Sequence, residues 1–241
     1  MKLLIIRHGE SENNRLHALT GSYEGRSPDP RLTSTGEEQA GQLAQAMLSG
    51  LQPAPQVLYS SLMWRAVQTS AVIADALDLP VLGHLEAYEC GGPYVGTPQQ
   101  PIPAPGASAS ELVGITPRLQ LPVGVDETGW YRGDGEDDRE RAQRGARVIE
   151  GLKRLYLGQE ILIGLVCHEW ISQHLVRAAL GFRARDGVAE PWLSLRNTAT
   201  TLIDFEQPVP VTEIDHQGGE LERVLHWHNN YVHLTPGLLT G

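Results

Sequence analysis

The chain is short of positive charge. Its 19 lysines and arginines face 29 aspartates and glutamates over 241 residues, for a formal net charge of −10 and a pI near 5.3. A surface this acidic repels nucleic acid and anionic membranes, so neither is expected as a partner. Cysteine is scarce as well. Cys90 and Cys167 show neither metal-ligand spacing nor a disulfide framework, which fits a reducing compartment. No apolar run reaches membrane-spanning length. The N-terminal run over residues 2–6 leads straight into Arg7 and does not read as a signal peptide. These absences together predict a cytoplasmic protein. No internal repeat is visible either.

What is present reads as one α/β domain. Hydrophobic residues make up 41% of the chain, enough for a substantial core. Lys2 to Ile6 reads as a buried strand, and Ile161 to Val166 gives the strongest buried-strand signal. Val57-Leu58-Tyr59 reads as another strand, Val81-Leu82 as a short one, and Thr198 to Phe205, Val209 to Ile214 and Leu221 to Trp227 as late ones. Between them lie helical patterns. Ser11 is a plausible cap for one, and Thr33 or Ser34 for the next, whose apolar face is Ala40, Leu43, Ala44, Met47, Leu48 and Leu51. Ser60-Ser61 reads as the start of a third helix carrying Arg65 in its first turn. Glu136 to Leu157 reads as a long helix, with Arg139, Arg141, Arg144 and Arg147 on a solvated face. A last helix carries Ile171 and Leu175 and ends at Gly181. Strand and helix in alternation predict a three-layer α/β/α architecture with a mostly parallel central sheet. Residues 91–135 are dense in Gly and Pro without regular period, and are expected to form an inserted, loop-rich cap on the single domain 1–241. Within it, Trp130 and Tyr131 either contact substrate or anchor the insertion.

The strands that begin at Lys2 and end at Val166 each run into a histidine, His8 and His168. If they lie side by side and parallel, both imidazoles emerge at the sheet edge where α/β proteins bind ligands. Arg7 and Arg65 add guanidiniums, whose forks match phosphate oxygens. Gly9 allows a sharp turn and close approach. Asn14 and the backbone donors near Ser11 suit an anion. A histidine can attack phosphorus when its other ring nitrogen is held by a hydrogen bond. The leaving oxygen then needs a proton, and Glu86 or Glu89 is placed to carry one. His226 and His228 could share a strand face, but no third metal ligand is evident.

These pieces resemble the histidine phosphatase superfamily, also called the phosphoglycerate mutase-like family. The resemblance lies in Arg7-His8-Gly9-Glu10-Ser11-Glu12 with Asn14, in Thr20-Gly21, and in Leu32-Thr33 with Gly36, Gln39 and Ala40. It continues in Tyr59-Ser60-Ser61-Leu62 with Arg65-Ala66 and Gln68-Thr69, in His168, and in Asn197-Thr198. It covers roughly residues 2–90 and 160–205. It implies that His8 is the nucleophile that becomes phosphohistidine, and that Arg7, Arg65 and His168 bind the phosphoryl group. Asn14 would assist phosphate binding, Thr20 and Gly21 would sit on the substrate side, and Glu89 would be the acid and then the base. No metal or other cofactor is implied. Two departures stand out. Glu169 follows the second histidine where the family usually has glycine, which weakens anion binding unless the carboxylate points away. The spacing of Glu86 and Glu89 to the glycines at 91 and 92 is also irregular, and Glu89 is favoured because it adjoins them. The implied activity is a metal-independent phosphomonoester phosphatase acting on a small phosphorylated metabolite and releasing inorganic phosphate. A phosphoglycerate-type mutase and a non-catalytic phospholigand-binding protein are the rivals. A homo-oligomer is compatible with all three.

Overall fold

The computed structural model describes residues 1–97, 99–182, 191–207 and 222–241. In chain order the elements are β1 (Lys2–Arg7), α1 (Glu12–Thr20), α2 (Ser34–Leu48), β2 (Val57–Ser61), α3 (Trp64–Leu77), β3 (Val81–His84), β4 (Tyr94–Thr97), β5 (Gln100–Pro103), α4 (Ala109–Ile115), β6 (Leu119–Gln120), α5 (Asp138–Tyr156), β7 (Leu162–Cys167), α6 (Glu169–Leu180), β8 (Thr200–Gln207) and β9 (Glu222–Asn230). The expected strand over 209–214 lies outside the described residues. Seven strands form one sheet in the order β6-β3-β2-β7-β1-β8-β9. From β6 to β1 every pairing is parallel, and β8 and β9 extend the sheet antiparallel.

The alternation of side chains along a strand divides the core. Leu4 and Ile6 of β1 face a cluster with α2, α3 and α4, whereas Leu3 and Ile5 face one with α5 and α6. That is the three-layer arrangement the sequence predicts. β1 and β7 are neighbours in parallel register, with Arg7 opposite Cys167. His8 and His168 each follow directly, so two chain segments far apart in sequence deliver their imidazoles to one edge.

Several expectations change. Ser60 and Ser61 belong to the end of β2, and α3 starts at Trp64, because the parallel pairing to β3 continues through Ser61–His84. The apolar face of α2 stops at Met47, leaving Leu48 and Leu51 exposed where the helix runs out past the sheet. The stretch 91–135 is more than a loop-rich cap. β4 and β5 form a separate hairpin, but β6 pairs with β3 in the main sheet. Leu112, Leu119, Trp130 and Tyr131 are buried in the α2–α3 core cluster. Trp130 and Tyr131 pack with Tyr88 at ring distances of 5.7 and 5.2 Å, so they anchor the segment.

Arg144 is the largest departure. It is 1% exposed and not part of a solvated face. Its guanidinium pairs with Glu136, also bonded at 2.9 Å through Nε, and donates to the carbonyls of Glu86 and Tyr88 at 2.7 and 2.8 Å. It lies 3.7 Å from the centre of the Tyr88 ring. Glu136 also accepts from the Gly91 N–H at 3.2 Å. The pair therefore braces residues 86–91, the segment that presents Glu89. Breaking a buried ion pair leaves its partner charged and uncompensated, at a cost of about 3–5 kcal/mol. Arg144→Met is expected to lower unfolding stability by about that much, read by urea denaturation, and Arg144→Met/Glu136→Gln should recover part of the loss. A loss below about 1 kcal/mol would remove the brace from the account.

Candidate active site

The turn after β1 is shaped by close packing. A Cβ on Gly9 would overlap the backbone of Gly36, and one on Gly36 the backbone of Glu10. Gly9 does not have a positive φ. Its role is thus to let the start of α2 press against this turn, not to make a left-handed bend. Gly9 N–H donates to Thr69 Oγ1 at 3.0 Å, and Glu10 N–H to Gln39 at 2.7 Å. On the far side, Asn197 Nδ2 donates to the His8 carbonyl at 3.0 Å. The turn that carries His8 is thus held by α2, α3 and Asn197.

The His8 ring is held as tightly. Nδ1 lies 2.6 Å from the Gly9 carbonyl, so it carries the proton and donates. Nε2 is then the lone-pair nitrogen, and it accepts from Arg65 Nε at 3.0 Å. Burial pushes the His8 pKa well below its usual value, and the charges of Arg65 and Arg7 push in the same direction. The imidazole is therefore neutral in the tautomer that exposes an unprotonated Nε2. His168 stands beside it, with ring centroids 5.0 Å apart. Its Nε2 lies 2.8 Å from Ser61 Oγ. Burial, then Arg65, lowers its pKa likewise.

Arg7, His8, Arg65 and His168 are all nearly inaccessible. Arg7 Nη1 donates to the Leu195 carbonyl at 2.5 Å and pairs with Glu169 at 3.0 Å. Glu169 thus does not point away, as anion binding would have preferred; it takes one edge of Arg7. Arg7 Nε and His168 Nδ1 are buried and have no hydrogen-bond partner among the described residues. Native proteins leave few such donors or acceptors orphaned, and two flanking one neutral histidine describe a site shaped for a polar guest.

Glu89 reaches this cluster and Glu86 does not. The Glu89 carboxylate sits at the N-terminus of α6, accepting from Cys90, Ile171 and Trp170 N–H groups at 2.9, 3.0 and 3.3 Å. Burial raises its pKa above the ordinary carboxylate value, while Arg65 and those donors pull it back down. Glu86 is paired with Arg147 at 2.7 Å on the surface. Asn14 lies at the edge of the cluster, where its Oδ1 accepts from Ser11 N–H at 3.1 Å and from Asn197 at 3.4 Å. Thr20 and Gly21 lie at the exposed end of α1, and the Thr20 hydroxyl bonds to the Leu16 carbonyl at 2.8 Å. Gly21 lines a neighbouring cavity of about 580 Å³.

Two participants escaped the sequence reading. Asp29, buried 3.8 Å from Arg65, also accepts from Trp64 N–H at 3.0 Å. Burial raises its pKa to about 7, against the pull of Arg65. Arg26 lies over the Tyr94 ring at 3.4 Å. Both sit in an irregular loop, where periodicity carries no information. The only signal was that Asp29 falls between two prolines, which stiffen the chain. The histidine pair at the other end of the sheet is already engaged. His228 contacts Thr201 Oγ1 and the Ser194 carbonyl at 2.9 and 2.8 Å, and His226 lies 3.7 Å from Asp204. Among the described residues no group of three ligands suits a metal ion.

A parallel sheet ending in two histidines and two arginines defines a class. The chain belongs to the histidine phosphatase superfamily (branch 1), whose family model matches residues 3–213. Phosphoglycerate mutase 1 of Saccharomyces cerevisiae is 35% identical over 83 residues, which are 33% of this chain and 31% of that protein. The match therefore spans less than a third of the relative's length. Among solved structures, a phosphoserine phosphatase variant from Entamoeba histolytica in complex with phosphoserine superposes with a TM-score of 0.61 at 21% identity, covering 97% of this chain and 99% of the other. A putative alpha-ribazole-5'-P phosphatase from Escherichia coli gives a TM-score of 0.60 at 20% identity, covering 96% and 98%. At these identities the likeness establishes a shared fold.

Proposed function

We propose that the protein is a phosphomonoester phosphatase that works through a phosphohistidine on His8. The observation that carries this reading is the neutral His8 ring, pinned through Nδ1 to the Gly9 carbonyl, with Nε2 turned to Arg65. In the first half-reaction Nε2 attacks phosphorus. The phosphorus–oxygen bond to the leaving group breaks, and the leaving oxygen takes the proton of Glu89. Arg7, Arg65 and His168 surround the phosphoryl oxygens and stabilise the charge that spreads over them. Asn14 adds a polar contact, and Thr20 and Gly21 flank the side from which substrate enters. In the second half-reaction the Glu89 carboxylate takes a proton from water, whose oxygen attacks phosphorus. The phosphorus–nitrogen bond breaks, and inorganic phosphate leaves with His8 neutral and Glu89 protonated again. No step is routed through a metal. Burial of Arg7 and Arg65 makes their charges count for more than they would in water.

The mutase alternative uses the same intermediate but must grip a second anionic group and keep water out. Arg118 and Arg132, the basic residues of the 91–135 stretch, are committed to Asp75 and Asp78 and to Asp126. Neither is free to close a water-excluding clamp over the intermediate, and hydrolysis is accordingly the favoured outcome. A protein of the same fold named a phosphoserine phosphatase, in complex with phosphoserine, supports a small phosphorylated metabolite as the substrate. A screen of small phosphate esters for phosphate release, run beside a phosphoglycerate interconversion assay, tests both. Interconversion with little free phosphate would favour the mutase. Tight ester binding without turnover would favour a non-catalytic phospholigand-binding protein.

A further inference from the structure

A cavity of about 580 Å³ is lined by the 21–26 loop on one side and by Gly96, Thr97 and Gln99 beside the β4–β5 hairpin on the other, and Arg26 on its wall feels the charges of Arg65 and Glu89 in the His8 centre. Arg26 is the cation on its wall. The guanidinium carbon lies 3.4 Å from the centroid of the Tyr94 ring, and Nη2 is the guanidinium nitrogen not buried without a partner. Nε and Nη1 are buried without a hydrogen-bond partner among the described residues, and no ion pair to Arg26 occurs among them. Glu24 also lines the cavity but is exposed and does not pair with it. Burial, and then repulsion from Arg65, lowers the Arg26 pKa to about 10, while Tyr23 and the Glu89 carboxylate pull the other way. A cation held half-buried without a contacting counter-ion costs folding free energy, and an anionic group supplied by a ligand would offset that cost.

We propose that Arg26, stacked on Tyr94, binds a second anionic group of the substrate, so that the preferred substrate class is a small phosphate ester carrying a carboxylate or a second phosphoryl group. The inference rests on the phosphatase reading only in placing the first phosphoryl group at His8. It assigns the loop over 21–26 and the β4–β5 hairpin a joint role in specificity. Arginine suits that role because its planar fork matches either anion bidentately. One cation there selects a substrate without excluding water, so it fits a hydrolase.

The test compares two esters that differ only in the second group, 2-phosphoglycolate and ethyl phosphate. Their binding is measured by titration calorimetry to the His8→Ala protein, which cannot turn them over, and to His8→Ala/Arg26→Met. Propane-1,3-diyl bisphosphate against propyl phosphate forms the second arm and separates carboxylate from phosphoryl preference. Hydrogen bonds to a charged group have a worth that corresponds to a preference of roughly 10- to 100-fold. The ester carrying the second anionic group is expected to bind tighter by that factor in the first protein, and the ratio should collapse to within about twofold once Arg26 is gone. Methionine keeps an apolar stem over Tyr94, and thermal melting confirms that the double variant is folded. Equal binding of both members of each pair, or a preference that survives Arg26→Met, overturns the proposal. Ethyl phosphate binding retained without preference would sink this inference and leave the phosphatase reading standing. Failure of every ester to bind would sink both.

Discussion

His8→Ala is expected to reduce phosphate release by on the order of 10⁴-fold or more, because the covalent route disappears with its nucleophile. The ring's two hydrogen bonds make the expectation specific. The Gly9 carbonyl fixes the proton on Nδ1, so the adduct should form on Nε2. Acid-labile phosphate on a His8-containing peptide, trapped by rapid denaturation with base during turnover, would report it. Arg7 and Arg65 remain in His8→Ala, so affinity for inorganic phosphate should largely persist while turnover is lost. Retention of near-normal hydrolysis would eliminate the mechanism, whatever the fold.

Glu89→Gln should slow hydrolysis of alkyl phosphates by roughly 10²- to 10⁴-fold, the usual worth of a positioned general acid. Aryl phosphates with activated leaving groups need little protonation and should lose far less. The effect also carries a pH signature. Burial raises the Glu89 pKa, so its protonated form persists to a higher pH than in an ordinary carboxylate, and the acid-dependent rate falls as pH rises through that pKa. Burial lowers the His8 pKa well below 6.5, so the nucleophile stays neutral into the acid range, and activity lost to its protonation sets in only below that value. For alkyl phosphates kcat/KM should therefore show an alkaline limb set by ionisation of Glu89. Glu89→Gln should flatten the alkaline limb. The substrate's own phosphate ionisation is common to both proteins and cancels in the comparison. Glu86→Gln should change little, since that carboxylate is engaged with Arg147 at the surface. A leaving-group-dependent loss in Glu86→Gln, absent from Glu89→Gln, would reverse the assignment.

The sequence by itself determined the sheet, its two histidine-bearing strands and the family. Those features rest on local pattern: continuous apolar runs, helical spacing and short motifs are written within a few residues of where they act. The preference for Glu89 over Glu86 also came from sequence, through its adjacency to the glycines, whereas the pairing of Glu86 with Arg147 is visible only in the fold. Tertiary structure decided what depends on contacts between distant segments. Ser60-Ser61 reads as a helix start until β3 is found pairing beside it. Arg144 looks solvated among alternating charges, and only the arrival of Glu136 and the 86–88 carbonyls makes its burial affordable. Leu119 extends the main sheet from within a stretch that has no period of its own. The same holds for the site: Glu169 on Arg7, Asp29 near Arg65 and Arg26 on Tyr94 are pairings across 162, 36 and 68 positions of chain. No local pattern encodes such separations, because burial and charge pairing act through space after the chain has folded.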